Sequence, residues 1–262
     1  MCAAEDSSVT HRFFIAAVDY DLKEMGTHFT PEAMKFLRGL IKNNDREWFN
    51  ARKPIYEREL KMPMLALIDE INHAMAEFAP DHLRDPKKIM MRIYRDTRFA
   101  KDKRPYKRQV SAWWAKRGME KTSGGGFYFH VSPKEVLVSI GVYMPEREQL
   151  RAIREWMAEN HEEYRAMVKK ILKTRGMGMT GIDGSELTRM PKGFASDHPA
   201  DELLRARNWG VHSYLPAEAA LKPNFANEIV KRFRLVAPLI EALNEAILKA
   251  EKPGGMSFEA FY

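Results

Sequence analysis

Apolar residues recur at helical spacing in both outer parts of this chain and switch to a period of two between them, and this switch restricts the fold more than any other feature. Thr30-Pro31 supplies an N-cap residue and a proline for the first helical position, and Phe36, Leu37, Leu40 and Ile41 follow on one helical face. Asn43-Asn44-Asp45 ends that helix and can cap a short second one holding Trp48 and Phe49. Beyond Pro54 and Pro63, Met64, Leu67, Ile68, Ile71, Met75 and Phe78 complete an apolar stripe. From Lys88 the period is two: Ile89, Met91 and Ile93 alternate with Met90, Arg92 and Tyr94, which predicts a strand running into Asp96. Residues 127–132 and 135–143 flank Pro133-Lys134, and pairing them as a hairpin sets Phe129 opposite Val138 and Val131 opposite Val136. Phe127, Phe129, Val131, Val136, Val138 and Ile140 then share a buried face. Tyr128, His130, Ser139, Gly141 and Tyr143 form a polar face able to floor a pocket.

After Pro145, Leu150, Ile153, Met157, Tyr164, Val168 and Ile171 trace a long amphipathic helix, ended by a glycine-rich stretch over 176–184. Residues 187–216 read as irregular apart from a short helix over 201–207. A last helix spans about 223–250, with Ile229, Phe233, Val236, Ile240, Leu243 and Ile247 inward and a kink expected at Pro238. Neither an internal repeat nor a low-complexity linker divides the chain. The expectation is therefore one α+β domain over residues 29–252, a small, mostly antiparallel sheet with a central hairpin packed against several amphipathic helices. Residues 1–28 are expected to be a poorly ordered tail, and 253–262 a C-terminal tail.

Composition closes off other classes. With 262 residues, 45% of them hydrophobic and 30% charged, the chain is neither disordered, collagen-like nor a disulfide scaffold. Its single cysteine, Cys2, allows no intrachain disulfide and points to a reducing, cytoplasmic setting. The apolar stretch 13–18 is too short for a signal-peptide core, and nowhere do eighteen apolar residues run together, so no membrane span is expected. The net charge of +7 is unevenly spread: residues 84–121 hold fourteen basic and four acidic side chains, which leaves the rest slightly acidic.

Within that basic segment lies the densest polar constellation, residues 92–107. If the chain stays extended to Arg98, then Arg92, Tyr94, Asp96 and Arg98 project from one face and Arg95 from the other. Arginine forks bind carboxylate or phosphate oxygens through paired hydrogen bonds, and a neighbouring aspartate can orient the guanidinium. Asp102, Lys103, Tyr106 and Lys107 follow in what reads as a loop able to fold over a bound anion. The same alternation also suits an internal ion-pair lattice, with Lys101, Arg104 and Arg108 as solvated charge. Against the lattice, one carboxylate per three or more cations leaves most guanidiniums locally unpaired.

The run R-x-x-R-D-x-R-F-x-x-D-K-x-x-Y, Arg92 to Tyr106 without a departure, resembles the signature of the domain of unknown function number 2461, a widespread family of uncharacterised proteins. Asn43-Asn44-Asp45-Arg46-Glu47-Trp48-Phe49 is similar to that family's early N-N-x-R-x-W-F segment. Tyr128-Phe129-His130 with the glycine before Tyr143-Met144-Pro145 resembles its central hairpin, and Pro191-Lys192-Gly193-Phe194 with Asp197-His198-Pro199 its late P-x-G-F element. The likeness covers about residues 29–210. It implies that Arg92, Arg95, Asp96, Arg98, Asp102, Lys103 and Tyr106 act as a unit, and it supplies no substrate.

The expected ligand-binding set is Arg92, Arg95, Asp96, Arg98, Asp102, Lys103, Tyr106, Lys107, Tyr128 and His130, with His130, Asp96 and Tyr106 as candidate acid–base groups. Asp197-His198 could join the site or give one metal ligand; lacking H-E-x-x-H and C-x-x-C arrays, the chain is expected to hold no metal, and no cofactor motif stands. Gly176-Met-Gly178-Met-Thr-Gly181 matches G-x-G-x-x-G but follows a helix instead of a strand, so a dinucleotide site is rejected. Gly124-Gly125-Gly126 reads as a hinge beside the pocket. Trp113-Trp114, read as helical, could stack on bases. Three functions fit: a binder of a compact anionic small molecule, with or without catalysis; a nucleic-acid module using residues 84–121; or a protein-interaction domain with a structural ion-pair cluster.

Overall fold

A computed structural model describes residues 28–119, 124–180 and 186–251. Apart from His28, the expected tails lie outside the described residues. Helix α1, Pro31–Lys42, starts where the Thr30 hydroxyl accepts the Ala33 N–H at 3.2 Å. Helix α2, Arg46–Ala51, is capped by Asp45, which accepts the Trp48 N–H at 2.8 Å. Helix α3, Lys53–Tyr56, passes through a π turn, Glu57–Lys61, into α4, Met62–Met75. That wide turn stands before Pro63, whose ring lacks an N–H and would crowd the carbonyl four residues back in a regular helix.

A single turn, α5 (Pro86–Ile89), leads into β1 (Met90–Met91). Then come β2 (Val110–Ala115), β3 (Gly126–Val131), β4 (Glu135–Val142), α6 (Arg147–Leu172), β5 (Met177–Thr180), α7 (Asp201–Arg205), β6 (Trp209–Pro216) and α8 (Phe225–Glu251). The sheet order is β1-β2-β3-β4-β6-β5, with every neighbouring pair antiparallel. The expected hairpin is β3–β4 at the centre, in the expected register of Phe129 against Val138 and Val131 against Val136.

Alternation decides which face the helices cover. Phe127, Phe129, Val131, Val136, Val138 and Ile140 are fully buried. On α8, Phe233 lies 5.4 Å from the Trp114 ring centre and 5.0 Å from that of Phe127, while the Trp114 indole N–H donates to Asn72 of α4 at 2.8 Å. Each large aromatic so buried contributes about 1.5–3 kcal/mol. Helix α6 packs on α8. The opposite face carries Ser111, Trp113, Tyr128, His130, Ser139 and His212 in paired rows.

Three strands depart from the sequence expectation. Trp113 and Trp114 lie on β2, not a helix, with Trp114 buried and Trp113 half-buried on opposite faces. Part of the glycine-rich stretch is β5, and part of the supposedly irregular 187–216 region is β6, which sits inside the sheet. In β6 a polar residue takes an inward position: Ser213 is fully buried and accepts a hydrogen bond from Arg232 Nε at 3.1 Å, so the hydrophobic alternation is hidden. The strand expected over 88–96 shrinks to Met90–Met91. Helix α8 continues through Pro238. Among the described residues no helix is long and apolar enough to cross a membrane.

Candidate functional site

Past β1 the chain does not stay extended to Arg98; it doubles back. Tyr94 bridges Tyr106 in antiparallel fashion, the Arg95 N–H donates to the Pro105 carbonyl at 2.8 Å, and the Lys107 N–H donates to the Ile93 carbonyl at 2.7 Å. Residues 95–105 thereby close a loop. Continued in step, the β1–β2 register of Met91 against Ser111 would set Tyr94 against Arg108. Pairing with Tyr106 instead leaves two extra residues on the returning strand, a bulge of the kind that re-aims side chains beside sites. Lys107, Arg108 and Gln109 occupy that bulge.

The early motif holds the returning strand from below. Asn43 closes α1 by donating to the Gly39 carbonyl at 3.0 Å. Asn44 clamps the Tyr106 backbone twice, accepting its N–H at 3.0 Å and donating to its carbonyl at 3.1 Å. Trp48 lies so close over Gly39 that a Cβ there would come within 2.8 Å of the indole, which only glycine avoids. Phe49 stacks on Tyr106 with ring centres 4.1 Å apart, and Tyr94 covers Tyr106 at 5.4 Å. Two motifs 43 or more residues apart in sequence are thus one packed unit.

Within the loop the cations are taken up locally. Arg98 grips Asp96 through Nε at 3.1 Å and Nη2 at 2.7 Å. Asp102 accepts from Arg95 at 2.8 Å and from Arg104 at 2.6 Å, and Lys103 donates to the Thr97 carbonyl at 3.0 Å. Hydrogen bonds from Arg98 hold the Asp96 carboxyl down to about 2, and those from Arg104 and Arg95 hold Asp102 lower still. Both carboxylates therefore stay charged through the physiological range. Phe99 at the loop tip is 96% exposed.

Beside the loop lies an open groove of about 640 Å³, lined by Met91, Arg92, Tyr94, Arg95, Asp96, Asp102, Tyr106, Lys107, Arg108 and Gln109. Beside the loop's paired Arg95, Asp96 and Asp102 it gathers cations of a different kind. Among the described residues, Arg92, Lys107 and Arg108 have no carboxylate partner at ion-pair distance. Partial burial, with Arg92 nearby, pushes the Lys107 ammonium below its ordinary value. Burial likewise raises the Tyr106 phenol, which leaves it a hydrogen-bond donor at neutral pH.

The expected site residues therefore divide. Arg92, Arg95, Asp96, Asp102, Tyr106 and Lys107 come together at the groove. Arg98 and Lys103 do not converge on it: both turn to oxygens of the loop, because the chain reverses where it was expected to stay extended. Tyr128 and His130 lie on the sheet's open face, with Tyr128 Oη 3.1 Å from His130 Nδ1, and neither lines the groove. Gln109 links the two, lining the groove and hydrogen-bonding Tyr128. Burial lowers the His130 imidazole, so it is neutral at pH 7. Arg108, placed in the sequence only by the ion-pair-lattice alternative and there as solvated charge, lines the groove, as do Met91 and Gln109, which were not among the expected site residues.

Other motifs resolve structurally. Gly125 is not a hinge: Asn244 accepts its N–H at 2.7 Å and donates to its carbonyl at 3.2 Å. His198 Nδ1 accepts the Ala200 N–H at 3.1 Å. Gly193 adopts φ +99, a left-handed conformation that accounts for the glycine of P-x-G-F. Gly178 lies in the edge strand β5, and Gly181 lies outside the described residues. Among the described residues no group of three or more histidine, cysteine, aspartate or glutamate side chains could hold a metal ion. Compared with known families, residues 32–241 match one described as "Conserved hypothetical protein (DUF2461)". None of the curated proteins matches the chain.

Proposed function

Because the chain belongs to the DUF2461 family, whose description carries no activity, we propose a function from the groove itself: cytosolic binding of a compact anionic small molecule, phosphorylated or carboxylated. One observation carries this reading, the set of cations at Arg92, Lys107 and Arg108 that no acid among the described residues meets at ion-pair distance, in a cleft otherwise rich in ion pairs. Like charges gathered without a counterion repel each other, and a bound anion relieves that repulsion through charge-assisted hydrogen bonds. Tyr106 and Gln109 add donors, and the clamps from Asn44 and Phe49 keep the site pre-organised. The cytosolic setting rests on the lone cysteine, Cys2.

A thermal-unfolding screen against inorganic phosphate, pyrophosphate, citrate and simple sugar phosphates tests the reading. At a hundred times the dissociation constant, a ligand adds about 2.7 kcal/mol. At least one anion is expected to raise the melting temperature of the wild type and to fail with Arg92→Ala. A screen without any such anion contradicts it.

A second reading, nucleic-acid binding, is favoured by Phe99, which stands exposed at the tip of a basic loop with the Arg98 guanidinium 5.9 Å from its ring centre. It ranks second because aspartates already neutralise Arg95, Arg98 and Arg104 in that loop. Single-stranded RNA or DNA binding that falls steeply with salt and weakens in Phe99→Ala would reverse the ranking.

A further inference from the structure

Among the described residues, lysines that are not exposed follow a rule with one exception. Among those described, only Lys61, Lys107 and Lys116 are not exposed. Lys61 pairs with Glu57 at 2.7 Å, and Lys116 is held between Glu241 and Asp81 at 2.5 and 3.8 Å. Lys107 alone of the three has no described acid at ion-pair distance, and the charged side chain that acts on it is another cation, Arg92. A half-buried ammonium in that setting is costly, and shedding its proton removes the cost. The resulting amine keeps a lone pair on nitrogen at the wall of an open groove. Its backbone is held in place by the Ile93 carbonyl and by the adjoining Tyr106, which is clamped and stacked.

We propose that Lys107 is a nucleophilic amine that condenses reversibly with the carbonyl carbon of an anionic aldehyde or ketone bound in the groove by Arg92 and Arg108. The inference rests on the anion-binding reading above and adds the substrate class. Nζ attacks the carbonyl carbon, a C–N bond forms, and the carbonyl π pair moves to oxygen. A proton passes from nitrogen to that oxygen, giving a carbinolamine. Uptake of one proton from solvent and loss of water then give the protonated imine, with no redox change. The new positive charge beside Arg92 is offset by the substrate's own anionic group, which selects charged over neutral carbonyl compounds. Desolvation and a cationic neighbour are the two devices that activate lysine amines for this chemistry.

The test uses pyridoxal 5′-phosphate and the uncharged 5′-deoxypyridoxal, whose aldehyde is likewise free of an internal hemiacetal, as probes on the full-length protein, with borohydride reduction and peptide mass mapping. At limiting probe, a single reduced adduct is expected on the peptide holding Lys107, about tenfold or more stronger for the phosphate, as expected of about 1.4 kcal/mol from the arginine contacts. Inorganic phosphate should compete it away in the wild type, so the result does not depend on any variant's folding. Lys107→Arg, with an unchanged melting temperature, should lose the adduct. Adducts scattered over the exposed lysines, or undiminished in Lys107→Arg, overturn the proposal. Heat protection by pyridoxal phosphate without a reducible adduct leaves the anion site standing and removes the nucleophile. Equal labelling of Lys107 by both probes removes the anionic substrate class and the anion-binding reading together.

Discussion

The loop over residues 95–105 and the groove beside it are drawn from the same basic segment and use the same residue types, yet they solve their charge problem in opposite ways. In the loop, Asp96 and Asp102 sit within hydrogen-bonding reach of Arg95, Arg98 and Arg104, and the peptide carbonyls absorb Lys103. In the groove, Arg92, Lys107 and Arg108 share the lining with Asp96 and Asp102, yet no carboxylate among the described residues comes within ion-pair distance of them. Net charge alone does not separate the two. What matters is whether the backbone brings an acid within about 4 Å, and no described acid comes that near Lys107 and Arg108, which lie in the two-residue bulge.

Four substitutions break or sharpen this contrast. The largest effect is expected from Phe49→Ala, which removes the fully buried ring that Tyr106 stacks on. It should cost about 3–5 kcal/mol, and loop and groove should fail together because both hang on Tyr106; denaturant unfolding measures it. Asn44→Ala removes both clamps on the Tyr106 backbone and should cost about 1–3 kcal/mol. If it left stability untouched, the packed unit of the two motifs would be wrong. Lys107→Met is expected to act the other way, raising the melting temperature of the free protein by about 1–3 °C by removing an unneutralised cation; a fall would mean that Lys107 has a stabilising partner. Smallest is Asp96→Asn, since the Asp96–Arg98 pair is exposed and such pairs contribute little.

The pH dependence of that last variant carries a sign. Asp96 is held below its ordinary value of 3.8, down to about 2, so the pair's contribution is fully present above 3.8 and disappears as pH falls through about 2. The small difference between wild type and Asp96→Asn should therefore stay constant from pH 7 to pH 5 and vanish only in strong acid. A difference that faded near pH 6 would point to a histidine instead.

Much of the fold was legible because its signals are local. The central hairpin was readable to the register, since Pro133-Lys134 fixes the turn and Phe129 and Val138 mark the same face. Helix α1 announced itself by a cap and an apolar stripe, α6 and α8 by their apolar stripes. Strand β6 was hidden by Ser213, whose inward place makes sense only with Arg232 of α8 opposite it. The same limit applies to the site. The residues of the motif could be named, but the chain reversal at 95–105 depends on Asn44 and Phe49, which are remote in sequence, and this reversal decides that Arg92 serves the groove while Arg98 serves the loop. Arg108 and Gln109 gain their place from the bulge, for which spacing gives no sign.

Calorimetric titration of pyrophosphate into wild type, Arg92→Ala and Arg98→Ala tests the contrast most directly. The groove reading predicts saturable binding to wild type, loss of about tenfold or more in affinity for Arg92→Ala, and near-wild-type binding for Arg98→Ala. Binding that survives Arg92→Ala and is lost in Arg98→Ala would contradict it, and would return the anion to the loop.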